Sequence, residues 1–99
     1  MSMRLALKVA ERGQHPIYKM GAVVARRGSI ISTGFNHREI HAEASAIGRR
    51  DVRGCDIYVA RLRRGKSRPC KECMALLKLS GIRKFFYFDE CGHISSEKI

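Results

Sequence analysis

Two cysteines three positions apart, in the stretch SRPCKEC, open the strongest helical pattern of this 99-residue chain. The pattern RPCKECMALLKLSG predicts a helix over 68–81. Pro69 suits its first turn, Leu76, Leu77 and Leu79 offer apolar contacts, and Gly81 stops it. At i and i+3 the sulfurs of Cys70 and Cys73 leave one face of the first turn, where the positive helix end favours thiolates. Two thiolates do not complete a four-coordinate site. The pair is therefore half of a structural zinc knuckle, a redox dithiol, or part of a catalytic metal site with three protein ligands and a fourth position left to water. His41 opens a second helical stretch, HAEASAIGR, residues 41–49, with Glu43 two positions on. If both helices start at the same sheet edge, His41 can meet the two cysteines, with Glu43 beside the metal but not bound to it.

The order of elements makes a shared edge plausible. A helix over 2–12 precedes strands at 20–25 and 30–36, joined by a Gly turn as an antiparallel hairpin. After the 41–49 helix come a strand at 56–62, the 68–81 helix, a strand at 82–88 and, with poor alternation, a fifth strand at 93–99. That order predicts an α/β fold, an α-β-α sandwich around one mixed sheet of four or five strands, built as a single domain over residues 1–99. Ninety-nine residues bury a limited core, so a metal or an oligomer interface would help. No apolar run reaches the roughly 18–20 residues of a membrane span, and the charged N-terminus does not read as a secretory signal. The expectation is a cytoplasmic protein, whose cysteines serve as thiols or metal ligands rather than disulfides. Cys55 and Cys91, each alone, read as small buried thiols.

HAE followed by PCKEC matches the H-x-E…P-C-x-x-C signature of the zinc-dependent cytidine and deoxycytidylate deaminases. MGAVVARRGSIISTGFN resembles that family's first hairpin and GIRKFFYFD its fourth strand, so the resemblance covers roughly residues 3–90 in order. It implies a cytidine deaminase-like fold and a Zn2+ ion held by His41, Cys70 and Cys73. It also implies that Glu43 moves protons from the attacking water to ring N3 and to the departing ammonia. By the same resemblance the backbone of Ala42 contacts the ring, Asn36 the sugar or base, and Ala22 lines the base pocket. Read without it, Asn36 is a turn residue and Ala22 a core alanine. Histidine at position 41 is closer to the nucleotide and polynucleotide branches, whereas many free-nucleoside enzymes have cysteine there. A fifth strand directly after the fourth resembles the nucleoside and toxin-like branch instead. A homo-oligomer, dimer or tetramer, is expected to help complete the site.

Charge narrows the partner. Twenty Lys and Arg against nine Asp and Glu give a formal +11, a field that calls for an acidic partner. Six of the eleven residues of RLRRGKSRPCK are basic: Arg61, Arg63, Arg64, Lys66, Arg68 and Lys71. Lying next to the cysteines, the first five are candidate phosphate-binding residues, although such a run is often a solvated loop. His15, Tyr18, Phe35 and His37 are candidates to stack on a base, with core or turn roles equally open. His37 and His93 are expected not to be ligands. The expected activity is hydrolytic deamination of cytosine in a nucleoside or nucleotide. Cytosine in single-stranded DNA or RNA is the alternative, with an adenine deaminase or a non-catalytic zinc module binding nucleic acid behind it.

Overall fold

The structure is a computed structural model that describes residues 2–13, 19–37 and 40–99. Helix α1 (Ser2–Ala10) leads to strands β1 (Met20–Arg26) and β2 (Ser29–Phe35), then helix α2 (Ala42–Ile47) and strand β3 (Asp56–Arg61). A 3-10 turn at Leu62–Arg64 follows, then helix α3 (Lys71–Ser80) and strands β4 (Lys84–Phe88) and β5 (Ile94–Lys98). The five strands form one mixed sheet in the order β2-β1-β3-β4-β5. Only β3 and β4 run parallel, joined by the crossover through α3; the other described neighbours are antiparallel. The expected α/β sandwich is what is found, and the weakly patterned fifth strand is real. Its outer residues Ile94, Ser96 and Lys98 are exposed, which suits a sheet edge and explains its unclear alternation.

Strand alternation splits the core in two. On one face α2 and α3 cover Ala22, Val24, Ile57, Val59, Phe85 and Tyr87, with Ala42, Ala46, Ile47 and Leu77 as the helical contribution. On the other, Met3, Ala6 and Val9 of α1 pack on Val23, Ala60 and Phe88. Full burial of Ile57, Leu77, Phe85 and Phe88 contributes roughly 1.5–3 kcal/mol each. The helices lie close because the sheet has no side chain under them at two points. A Cβ on Gly21 would meet the backbone of α1 at Ala6 and Ala10, and one on Gly34 the backbone of α2 at Ala46 and Ser45.

Three expectations need correction. Helix α3 begins at Lys71, not 68, with Cys70 as its extended N-cap (φ −73°, ψ 173°). Pro69 thus precedes the helix rather than filling its first turn, and the residue before a proline is itself steered away from helical backbone. Leu79 is 88% exposed; Cys73 and Leu77 turn to the sheet, and two residues beyond Leu77 the helix faces away. Cys91 is exposed in the β4–β5 turn, whereas Cys55 is buried as expected. The turn Asp89–Gly92 closes on the Asp89 carboxylate, which accepts the N–H groups of Cys91 and His93, so Cys91 has no core to enter.

Candidate metal centre

Helices α2 and α3 both begin on a residue with extended backbone and a metal-binding side chain. His41 caps α2 (φ −72°, ψ 156°) and Cys70 caps α3. Each carbonyl already accepts a helical hydrogen bond, from Ser45 N–H at 3.0 Å and Met74 N–H at 2.8 Å. Neither side chain caps its own helix; both are turned to a common point. There His41 Nδ1 lies 3.2 Å from Cys73 Sγ and 3.9 Å from Cys70 Sγ. The three ligand atoms fall within 4.8 Å of one another. A tetrahedral zinc with ordinary Zn–S and Zn–N bonds needs ligand separations of about 3.5–3.8 Å, so one imidazole and two thiols fit the ion with small adjustments. His41, Cys70 and Cys73 are positioned to bind a metal ion, and they are the one such group among the described residues.

Glu43, in the first turn of α2, is 4% exposed. Burial pushes its carboxyl above the usual carboxylate range, opposed by hydrogen bonds to its own backbone N–H and to Cys73 and by the charge of His41. The Cys73 thiol is pushed up as well, first by burial and then by the neighbouring Glu43 charge. A cation at this point would reverse that pressure, since a coordinating thiol gives up its proton. Two thiols gathered on one imidazole form a donor set that matches a divalent soft-to-borderline metal.

The other candidates distribute unevenly. Ala42 and Ala22 are buried, at 1% and 0% exposure. Asn36 follows β2 directly; its Oδ1 accepts Met20 N–H at 2.9 Å, and its own N–H donates to Met20 O at 3.2 Å. It thereby extends the β1–β2 ladder at the same sheet end as the two helix starts. A groove of about 250 Å³ runs between the helices beside the ligands, lined by Ile40, His41, Ala44, Glu72, Cys73 and Leu76. His37 Nδ1 pairs with Phe35 O at 3.0 Å, their rings 5.4 Å apart. His37 and His93 belong to no metal group among the described residues. His15 and Tyr18 lie outside those residues.

The basic segment is not uniform. Arg61 pairs with Met20 across β1 and β3 at the site end of the sheet. Arg63 and Arg64 take left-handed backbone (φ 62° and 57°), unusual for side-chain-bearing residues. Arg64 donates from Nε to Gly92 O and lays its guanidinium 4.7 Å from the Phe88 ring centre. Lys66 is 3.9 Å from the Glu90 carboxylate. Arg68 makes two hydrogen bonds to Glu97, at 2.9 and 3.1 Å, and Tyr87 OH donates to the same carboxylate at 2.6 Å. Sequence reasoning missed Ser67, which is 2% exposed. Its hydroxyl donates to Val59 O at 2.7 Å and accepts Phe88 N–H at 2.8 Å, while its own N–H donates to Phe88 O at 2.9 Å. A lone serine in a basic loop carries no pattern that would announce this.

Comparison with known proteins agrees with the geometry. The model of the cytidine and deoxycytidylate deaminase zinc-binding region matches residues 1–89. An uncharacterised deaminase from the luxG 3' region of Aliivibrio fischeri is 32% identical over 104 aligned positions, spanning 84% of this chain and 67% of that protein. The dCMP deaminase of cyanophage S-TIM5 superposes with a TM-score of 0.69 at 20% identity, over 85% of this chain and 76% of its own. That enzyme has also been solved with dCMP and dUMP. A diaminohydroxyphosphoribosylaminopyrimidine deaminase/5-amino-6-(5-phosphoribosylamino)uracil reductase from Thermotoga maritima superposes at 0.65 with 30% identity, over 83% of this chain. This chain spans 26% of that bifunctional protein. Among the described residues no helix is long and apolar enough to cross a membrane.

Proposed function

Because the chain belongs to the cytidine and deoxycytidylate deaminase family, we propose that it hydrolytically deaminates the cytosine ring of a small nucleotide or nucleoside. The observation that carries this reading is the convergence of His41, Cys70 and Cys73 within 4.8 Å, with Glu43 buried against Cys73. Those three residues would hold Zn2+, which when bound supplies a Lewis acid that makes water nucleophilic near neutral pH. Glu43 accepts a proton from the attacking water as the new C4–O bond forms. It passes that proton to ring N3, then takes the remaining proton from the C4 hydroxyl and gives it to the amino group, so that the C4–N bond breaks to release ammonia as the C4 carbonyl forms. One carboxylate can serve both transfers because it would sit beside metal and ring alike, and its burial raises its pKa above the usual carboxylate range. The N–H of Ala42 and the Asn36 side chain orient the ring and sugar, and Ala22 forms the pocket floor.

Phosphate on the substrate is favoured by the basic segment at the site end of the sheet. Arg61 is the leading candidate phosphate ligand by its position at the end of β3 beside Met20, with Arg63 and Lys66, the latter 3.9 Å from the Glu90 carboxylate, following in the same segment. Arg64 and Arg68 are engaged by Gly92 and Glu97 and contribute mainly through their field. A second reading has its own support: the Thermotoga protein, named for a phosphoribosylaminopyrimidine, shares 30% identity. Both readings describe an aminopyrimidine carrying sugar phosphate. Zinc-loaded protein is to be given cytidine, deoxycytidine, dCMP, diaminohydroxyphosphoribosylaminopyrimidine, a cytosine-containing single strand and an adenine-containing strand, with ammonia release as readout. Turnover of dCMP above all others is the expected result. Turnover of only the phosphoribosylaminopyrimidine selects the second reading. Turnover of a strand alone, falling steeply with salt, overturns both. Sedimentation of the same sample tests the expected homo-oligomer.

A further inference from the structure

The parallel ladder between β3 and β4 pairs Asp56 with Lys84, Ile57 with Phe85 and Tyr58 with Phe86, and ends there. Past that point the backbone groups of Val59 and Phe88 bond to a side chain from the metal loop. Ser67 Oγ bridges Val59 O and Phe88 N–H, and Ser67 N–H meets Phe88 O. The next residue, Arg68, is held by the Glu97 carboxylate on β5 in a two-point grip, and Glu97 is itself held by Tyr87 OH. Two positions later comes Cys70. The segment that delivers this ligand is thus tied to three consecutive strands of the sheet, and neither tie touches the ligand atoms.

We propose that Ser67, supported by the Arg68–Glu97–Tyr87 group, is a positioning residue for the metal centre: it sets the place of Cys70 relative to His41. This rests on the reading of Cys70 as a metal ligand. Three general facts carry it. A buried hydroxyl satisfying a donor and an acceptor on different strands has one orientation open to it. A bidentate guanidinium–carboxylate pair is directional as well as attractive. A thiol on a helix cap can drift by more than a zinc–sulfur bond tolerates unless the preceding loop is held.

The test compares Ser67→Ala, Ser67→Thr and Glu97→Gln with Val23→Ala, a core change on the α1 face that removes none of the loop's hydrogen bonds, chosen to lose a similar amount of thermal stability. Each full-length protein is titrated with Zn2+ against a chromophoric chelator and loaded with Co2+ for its visible spectrum, which reports ligand geometry independently of turnover. S67A is expected to bind zinc about ten-fold more weakly, the lower end of what supporting residues around a metal contribute, and to show altered cobalt bands. E97Q shifts both readouts in the same direction by less, S67T keeps the wild-type spectrum, and V23A changes neither. Wild-type affinity and spectrum in S67A, or an equal loss in V23A, overturns the inference. If S67A does not fold, E97Q against V23A decides on the same criteria. Wild-type protein that takes up no zinc overturns the metal reading, and the inference with it. Tight wild-type binding with indistinguishable variants overturns the inference alone.

Discussion

Cys73 Sγ lies 3.2 Å from His41 Nδ1, although 32 positions separate the two residues in sequence. The contact depends on two helices starting at one end of a sheet, so the fold itself brings a third candidate ligand to the CxxC pair. The expected metal content is one zinc per chain. Cys73→Ala should lose it, and with it the ligand-linked stabilisation that grows with free zinc over Kd. Elemental analysis and melting with and without chelator check this: wild type should fall to the variant's Tm when the metal is removed.

Glu43→Gln should separate binding from chemistry. The amide keeps the shape of the side chain but cannot accept the water's proton. Zinc content should stay at the wild-type level while kcat falls by about 10²–10⁴-fold, the usual contribution of a positioned acid/base group. Turnover within a few-fold of wild type would remove Glu43 from the mechanism.

Arg61→Ala should discriminate a phosphate ligand from an arginine with a structural role. KM for dCMP is expected to rise about ten-fold or more, as the loss of a charge-assisted contact implies, with little change for deoxycytidine. Equal effects on both substrates would point to a structural role for Arg61.

The Glu97 carboxyl is held down to about 2, first by the Arg68 hydrogen bonds and then by Tyr87 OH. A lowered folded-state pKa means that this contribution is fully present above the ordinary value of 4.5 and disappears as pH falls toward 2. In metal-free protein, the Tm gap between wild type and Glu97→Gln should therefore be constant near neutrality and close between about pH 4.5 and 2. Because the pair is partly exposed, the gap should also shrink with salt.

Gly34→Ala should affect both fold and site. A methyl there would press on the α2 backbone at Ala46, a rigid neighbour, at a cost of about 1–3 kcal/mol. Since α2 begins at His41, zinc affinity should fall together with the denaturation midpoint. An equal change at an exposed glycine would not weaken zinc binding.

What the sequence revealed follows from where information is local. The two helices that carry His41 and Cys70, the β1–β2 hairpin and the order of elements are written in short-range patterns. The candidate metal ligands were legible because His41, Cys70 and Cys73 fall on the H-x-E…P-C-x-x-C pattern, and the structure brings them within 4.8 Å. Leu79 misled because apolar character alone does not state which side of α3 meets the sheet. Pro69 misled because a proline serves equally well just before a helix and in its first turn. Ser67, Tyr87 and Glu97 were invisible for a different reason. Each works through a partner at least eight positions away, and nothing in the residue type predicts which strand it will meet.

The single parallel pairing in the described sheet, β3 with β4, also bears on the order of assembly. Antiparallel β1 and β2 are joined by a tight turn and can zip early, whereas a parallel pair closes only after the whole connecting segment has been threaded. The loop with Ser67 and Cys70 lies inside that connection. The chain must therefore complete its slowest contact before the thiols of Cys70 and Cys73 stand opposite His41. Before that closure only the local Cys70–Cys73 pair exists, and the three-donor group with His41 is a product of the closed sheet.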